Sequence, residues 1–265
     1  MGDLQSRGKC FSMLHTIKKV SELSIIEILG HREEHFGVKW EVIILREDDH
    51  LAVYLKCLGI EEPDNWSIDA QFEISTLKVN DNSVAVICNA VKFTKEKNEW
   101  GAKDFIEWEK LKSLVVGDEL TIVIEMKIKK MIGVYKPNLR SFDESMKTYS
   151  DVILEVQNVK FYVTKLFIAL HSPFFKKLLL DGPPKSKVTL TDVDSDDFQN
   201  YLEVLYGDSA IDDITVEGVL FVAKKYNTQI VTNKCENFLL AKSNKSNEKK
   251  KRLTGVYNLK KMRVS

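Results

Sequence analysis

In "WSIDAQFEI" (66–74), Trp66, Ile68, Ala70, Phe72 and Ile74 alternate with Ser67, Asp69, Gln71 and Glu73. Period-two alternation marks a strand with one buried and one wet face, because successive side chains of extended backbone point to opposite sides. "ELTIVIEMKI" (119–128) repeats the pattern with Leu120, Ile122, Ile124, Met126 and Ile128. "GVKWEVIIL" (37–45), "HLAVYLKCL" (50–58) and "VAVICNAVKF" (84–93) are further strand candidates. Asp48-Asp49, Asp81-Asn82 and Gly117-Asp118 supply turns between these runs. Several short strands at this spacing predict an antiparallel sandwich. One helix is predicted to interrupt it over "DFIEWEKLKSL" (104–114), with Asp104 as N-cap and Phe105, Trp108 and Leu111 on one face.

From about residue 137 the period changes. "LRSFDESM" (139–146) sets Leu139, Phe142 and Met146 at i, i+3 and i+7, a helical stripe. A strand pair, "DVILEV" (151–156) and "KFYV" (160–163), comes next. "DDFQNYLEVLYG" (196–207) then places Phe198, Tyr201, Leu202 and Leu205 on one helix face and stops at Gly207. "TVEGVLFVAKKYN" (215–227) and "QIVTNKCENFLL" (229–240) read as two more helices. The predicted fold class is therefore α+β and multidomain, an antiparallel β-sandwich followed by an α-rich domain, joined near "KKMIGVYKPN" (129–138). "VAKKYN" (222–227) and "LTGVYN" (253–258) form a short repeat that suggests stacked helices.

A length of 265 residues also favours two domains. No apolar run approaches the ~18 residues of a membrane helix, and the N-terminus has no hydrophobic leader core, so no membrane partner and no secretory signal are expected. Cys10, Cys57, Cys88 and Cys235 are far apart with no CxxC, which points to reduced thiols in the cytoplasm or nucleus rather than to disulfides or zinc. A net charge of zero hides an asymmetry. Residues 242–265 carry nine basic side chains against one acid, so the rest of the chain is acidic and nucleic acid is an unlikely partner. Lys249-Lys250-Lys251-Arg252 fits a nuclear address or a phosphate patch, although a solvated, mobile basic tail is the commoner outcome.

"HSPFF" (171–175) raises the question of a His–Ser catalytic pair. Pro173 lacks a backbone N–H and belongs in the first turn of a helix, and Ser172 before it is a good N-cap. G-x-S-x-G is absent, so Ser172 is read as the joint between two helices. "HREEH" (31–35) matches H-x-x-E-H, but Gly30 and Gly37 leave no room for the helix that zinc chemistry needs. "MGDLQS" fits an N-myristoylation pattern weakened by Asp3. No P-loop or G-x-G-x-x-G occurs. No catalytic residue, metal ligand or cofactor is expected, and the chain reads as a non-enzyme.

"DVILEVQNVKFYVTKLFIALHSPFFKKLL" and "VTLTDVDSDDFQNYLEVLYG" resemble the core of a BTB (POZ) domain. "EEHFGVKWEV", "DDHLAVYLKC" and "EWGAKDFIEWEKL" resemble a MATH (TRAF-like) domain. The expected layout is a MATH domain over 9–130, a linker and leading BTB helix over 131–150, a BTB domain with following helices over 151–241, and a basic, partly helical tail over 242–265. This resemblance implies a substrate-recognition adaptor of a cullin-RING ubiquitin ligase. The MATH sandwich would hold a short, extended client peptide, and the BTB domain would homodimerise and bind the cullin scaffold. Tyr54, Phe72, Trp100 and Gly101 match the family's peptide-groove positions, with core filling as the plain reading of Phe72. Val91 and Ala102 stand where the family has aromatic rings. Leu139, Phe142 and Met146 are the implied dimer contacts, with packing onto the chain's own core as the alternative. Leu179 and Asp181, in Leu179-Leu180-Asp181, match the family's cullin-binding tripeptide, but the following "GPPKSK" is short and basic where acids are usual. The alternative functions are a non-degradative homodimeric scaffold and a nuclear, transcriptional BTB protein that binds no cullin.

Overall fold

The computed structural model describes residues 9–23, 29–59, 65–77 and 83–263. The Asp81-Asn82 turn and the MGDLQS segment lie outside them. The chain divides into two compact units, Lys9–Val134 and the part from Tyr135 onward.

The first unit is two four-stranded antiparallel sheets. One runs in the order β1 (Cys10–Lys18), β8 (Glu119–Ile132), β5 (Ser67–Thr76), β6 (Ala85–Thr94). The other runs β2 (Leu29–His35), β3 (Val38–Glu47), β4 (His50–Gly59), β7 (Glu99–Glu107). The alternating stretches become the central strands. On β5 every second residue is buried, and Phe72 and Ile74 pair with Met126 and Ile124 of β8. Buried rings fill the core, where Trp40 meets Phe93 edge-on at 5.2 Å and Phe72 lies 6.3 Å from Phe93.

Two strands carried no such signal. In β1 the alternation breaks at exposed Leu14. β2 is the charged sequence LGHREEH, held as an edge strand by its ladder to β3. H-x-x-E-H therefore lies on extended backbone. Residues four apart on a strand are about 13 Å apart, too far to share one zinc ion. His35 is buried, stacked on Phe11 at 3.9 Å and bonded to the Glu33 carboxylate at 2.8 Å.

The helix predicted over 104–114 is corrected. β7 continues through Glu107, and only Trp108–Leu111 forms a helical turn, α1, with no side-chain cap. Leu51 pairs with Ile106 and His50 with Glu107, while Phe105 and Ile106 are both buried. Sheet pairing plus burial outweighs a helical spacing of three side chains.

The second unit has a three-stranded sheet, β10 (Val159–Val163), β9 (Val152–Val156), β11 (Lys187–Leu190), with β11 parallel to β9. Around it lie α2 (Lys165–His171), α3 (Pro173–Leu179), α4 (Ser195–Tyr206), α5 (Val216–Lys225), α6 (Gln229–Ala241) and α7 (Asn247–Tyr257). Phe161, Phe175, Phe198, Tyr201 and Tyr226 are among its buried core. Ser172 ends α2 and begins α3: its Oγ accepts from Phe175 N–H at 3.1 Å and donates to the Tyr226 carbonyl. The pair is a joint.

The stripe predicted over 139–146 is also corrected. Asp143 caps a 3₁₀ turn that starts only at Glu144. Upstream, the buried Glu203 carboxylate accepts the Leu139 and Arg140 N–H groups at 2.8 and 3.3 Å, and Arg140 pairs with Asp208 at 2.7 Å. Tied to Glu203 through its backbone and to Asp208 through Arg140, the segment follows bends and no regular helix.

Much of the described part of the basic tail packs onto the unit. α7 is capped by Ser246 and buries Leu253 in the core, and Leu259 just beyond its end is buried there too. Lys245 and Lys249 are buried on the Glu217 carboxylate at 3.2 and 2.8 Å. The short repeat has a local cause, since Asn227 and Asn258 both adopt φ 52° just past a helix, the left-handed stop that Asn tolerates.

Candidate functional site

β6 and β7 are edge strands of their sheets and lie next to each other in the sandwich. At this edge the structure assembles half-exposed aromatic rings. Trp100, on β7, donates its Nε1–H to the Lys92 carbonyl of β6 at 2.9 Å, which pegs one sheet to the other. The Lys97 ammonium sits 3.4 Å from the centre of the Trp100 ring. Tyr54, on β4, faces Gly101 in register and donates its hydroxyl to Glu47 at 3.3 Å. Partial burial, and then the Glu47 charge, push the Tyr54 phenol pKa up. A sheet edge with exposed rings is suited to gripping an extended peptide, because unpaired backbone groups supply hydrogen bonds and rigid rings supply contact area.

The structure brings Tyr54 and Gly101 together on one face of the sheet, whereas Trp100 pairs with buried Leu55 and faces the other side, toward β6. Phe72 is 1% exposed on the inner face and fills the core, the plain reading of that residue. Val91 and Ala102 are likewise buried. Lys92 and Lys97 were missed by sequence reasoning. The only local signal is the Thr94–Lys97 turn that sets Lys97 three residues before Trp100.

In the second unit, Leu179 is buried in the core, whereas Leu180 is 41% exposed and Asp181 is exposed. Leu139 is exposed, Met146 half-buried, and Phe142 buried edge-on against Tyr206 at 5.1 Å. These three do not share one face. The exposed apolar pair is instead Leu166 and Leu170, one turn apart on α2 and 68% and 78% exposed. The run KLFIALH is apolar nearly all round, so its pattern does not say which side is left outside. A cleft of about 360 Å³ opens beside β10, lined by Leu139, Ser141, Asp143, Val159 and Lys160.

Among the described residues no group of three or more His, Cys, Asp or Glu could hold a metal ion, and no helix is long and apolar enough to cross a membrane.

A family model described as "MATH domain" matches residues 17–129, and one described as "BTB/POZ domain" matches 142–243. The chain is 40% identical over 267 residues to BTB and MATH domain-containing protein 15 of Caenorhabditis elegans, covering 97% of this chain and 95% of that protein. It is 33% identical to protein 45 of the same series and organism, over 91% of this chain but 52% of that longer protein. The chain is also similar to TNF receptor-associated factor homolog 1a of Arabidopsis thaliana, 29% identical over 119 residues, which cover 43% of this chain and 11% of that protein.

Proposed function

Because the chain belongs to the family of proteins that join a MATH domain to a BTB/POZ domain, we propose that it is a non-enzymatic adaptor that holds a client protein and delivers it to a cullin-RING ubiquitin ligase. Clients would bind as short, extended segments at the β6–β7 edge. The observation that carries this reading is the partly exposed Tyr54 ring left open over Gly101 of the edge strand β7, with partly exposed Trp100 beside β6. The helical unit would homodimerise through Leu166 and Leu170, with exposed Leu139 and part-exposed Met146 as further candidates, and would offer Leu180 and Asp181 to the cullin. Two grooves on one dimer gain avidity for clients with two copies of a weak segment. The protein would work in the cytoplasm or nucleus.

A second reading, a homodimeric scaffold without a cullin, is favoured by one observation. The first apolar position of the tripeptide, Leu179, is buried and cannot reach a partner. Affinity purification of wild type beside Trp100→Ala and Asp181→Lys tests both. The adaptor reading expects clients to leave with the first change and a cullin with the second. Absence of a cullin from wild type, with clients retained, leaves the scaffold.

A further inference from the structure

The Lys97 side chain is placed by more than chance rotation. Thr94 N–H donates to the Lys97 carbonyl at 3.0 Å, Lys97 N–H donates to Thr94 Oγ1 at 3.1 Å, and Asn98 accepts from Cys57 N–H of β4 at 2.7 Å. These bonds fix a tight turn between β6 and β7. Trp100 is fixed from the other side by its bond to Lys92. A fixed turn and a fixed ring hold the ammonium at 3.4 Å, where the negative face of the indole attracts it.

What this ammonium lacks is a carboxylate. Among the described residues Lys92 pairs with Asp69 and Lys103 with Glu47, but no carboxylate lies within ion-pair distance of Lys97. A cation held by a ring, on the open edge where a client strand would lie, can take a carboxylate without leaving the ring. The chain gives up little side-chain entropy in that step, because the ring has already ordered the lysine.

We propose that Lys97 and Trp100 form a charge-selecting subsite, and that clients are extended segments with an Asp or Glu beside the apolar residue that contacts Trp100. This rests on the β6–β7 groove reading above.

The test is a library of random nine-residue peptides displayed on phage and selected on the full chain, on Lys97→Glu and on Trp100→Ala. The wild-type pool is expected to carry an acid at one fixed position next to an apolar residue. The Lys97→Glu pool should exchange that acid for Lys or Arg. Synthetic peptides with Glu, Gln or Lys at that position should differ by about threefold to tenfold in affinity on wild type, and the difference should shrink in 1 M salt. If the wild-type and Lys97→Glu pools share one motif with no charge at that position, the subsite is wrong while the groove stands. If the Trp100→Ala pool matches wild type, the groove itself is wrong.

Discussion

Tyr54 on β4 lies opposite Gly101 on β7, so close that a Cβ added to Gly101 would stand 2.6 Å from the Tyr54 Cα and 2.1 Å from the Val53 carbonyl oxygen. Glycine at 101 is thus a packing requirement that also shapes the candidate groove. It lets the edge strand approach, and it leaves the Tyr54 ring uncovered where the next strand would otherwise place a side chain.

Gly101→Ala is predicted to push β7 off β4, because both clashing groups include backbone that cannot rotate away. The expected loss is about 1–3 kcal/mol, read as a lower urea midpoint. An unchanged midpoint sinks the close-packing account of this position.

Ser172→Ala removes both the N-cap of α3 and the donor to the Tyr226 carbonyl inside the core. The predicted cost is about 1–3 kcal/mol. A catalytic serine would instead be replaceable with little loss of stability, so thermal unfolding of the alanine variant separates the two roles.

Glu217 is the shared counter-charge of Lys245 and Lys249. Glu217→Gln leaves two buried ammonium groups without it, at an expected cost of about 3–5 kcal/mol. Lys249→Met keeps the apolar stem and should cost less. Should limited proteolysis cut the Glu217→Gln tail no faster than wild type, the ion pairs are not what docks α7.

Alkaline pH should unfold the protein. Burial pushes the Tyr201 and Tyr226 phenols above their ordinary value of 10.0 and the Cys57 thiol from 9.0 to about 12. The unfolded chain loses these protons first, so their contribution is intact below pH 9 and declines as pH rises above the unfolded values. Each group contributes a slope of about 1.4 kcal/mol per pH unit. Lys249 works the other way, because burial lowers its pKa below 10.5, and that offset ends once the unfolded lysine titrates. Urea titrations between pH 8 and pH 11.5 should therefore show a steepening loss above about pH 10.5.

Leu166→Glu with Leu170→Glu places two charges on the exposed face of α2 and is predicted to leave the fold intact while converting a dimer to a monomer. Sedimentation equilibrium reads the mass. A wild type that is monomeric, or a variant that stays dimeric, removes α2 from the interface.

Much of this architecture was legible in the chain. Regular alternation on β5 and β8 set the strands and their buried faces, since a one-residue slip would have turned Phe72 and Met126 outward. Local chemistry set the Ser172-Pro173 joint and the stop at Gly207. What only the tertiary structure decided depends on partners distant in sequence. β2 is a strand because β3 pairs with it, 139–143 is irregular with its Leu139 and Arg140 N–H groups held by Glu203, and the basic tail docks because Glu217, buried on α5, takes Lys245 and Lys249. The candidate groove belongs to the same class, since Trp100 reaches the Lys92 carbonyl only when the two sheet edges close. A one-dimensional pattern records each residue's local preference, whereas burial and counter-charge are properties of the neighbours that folding brings.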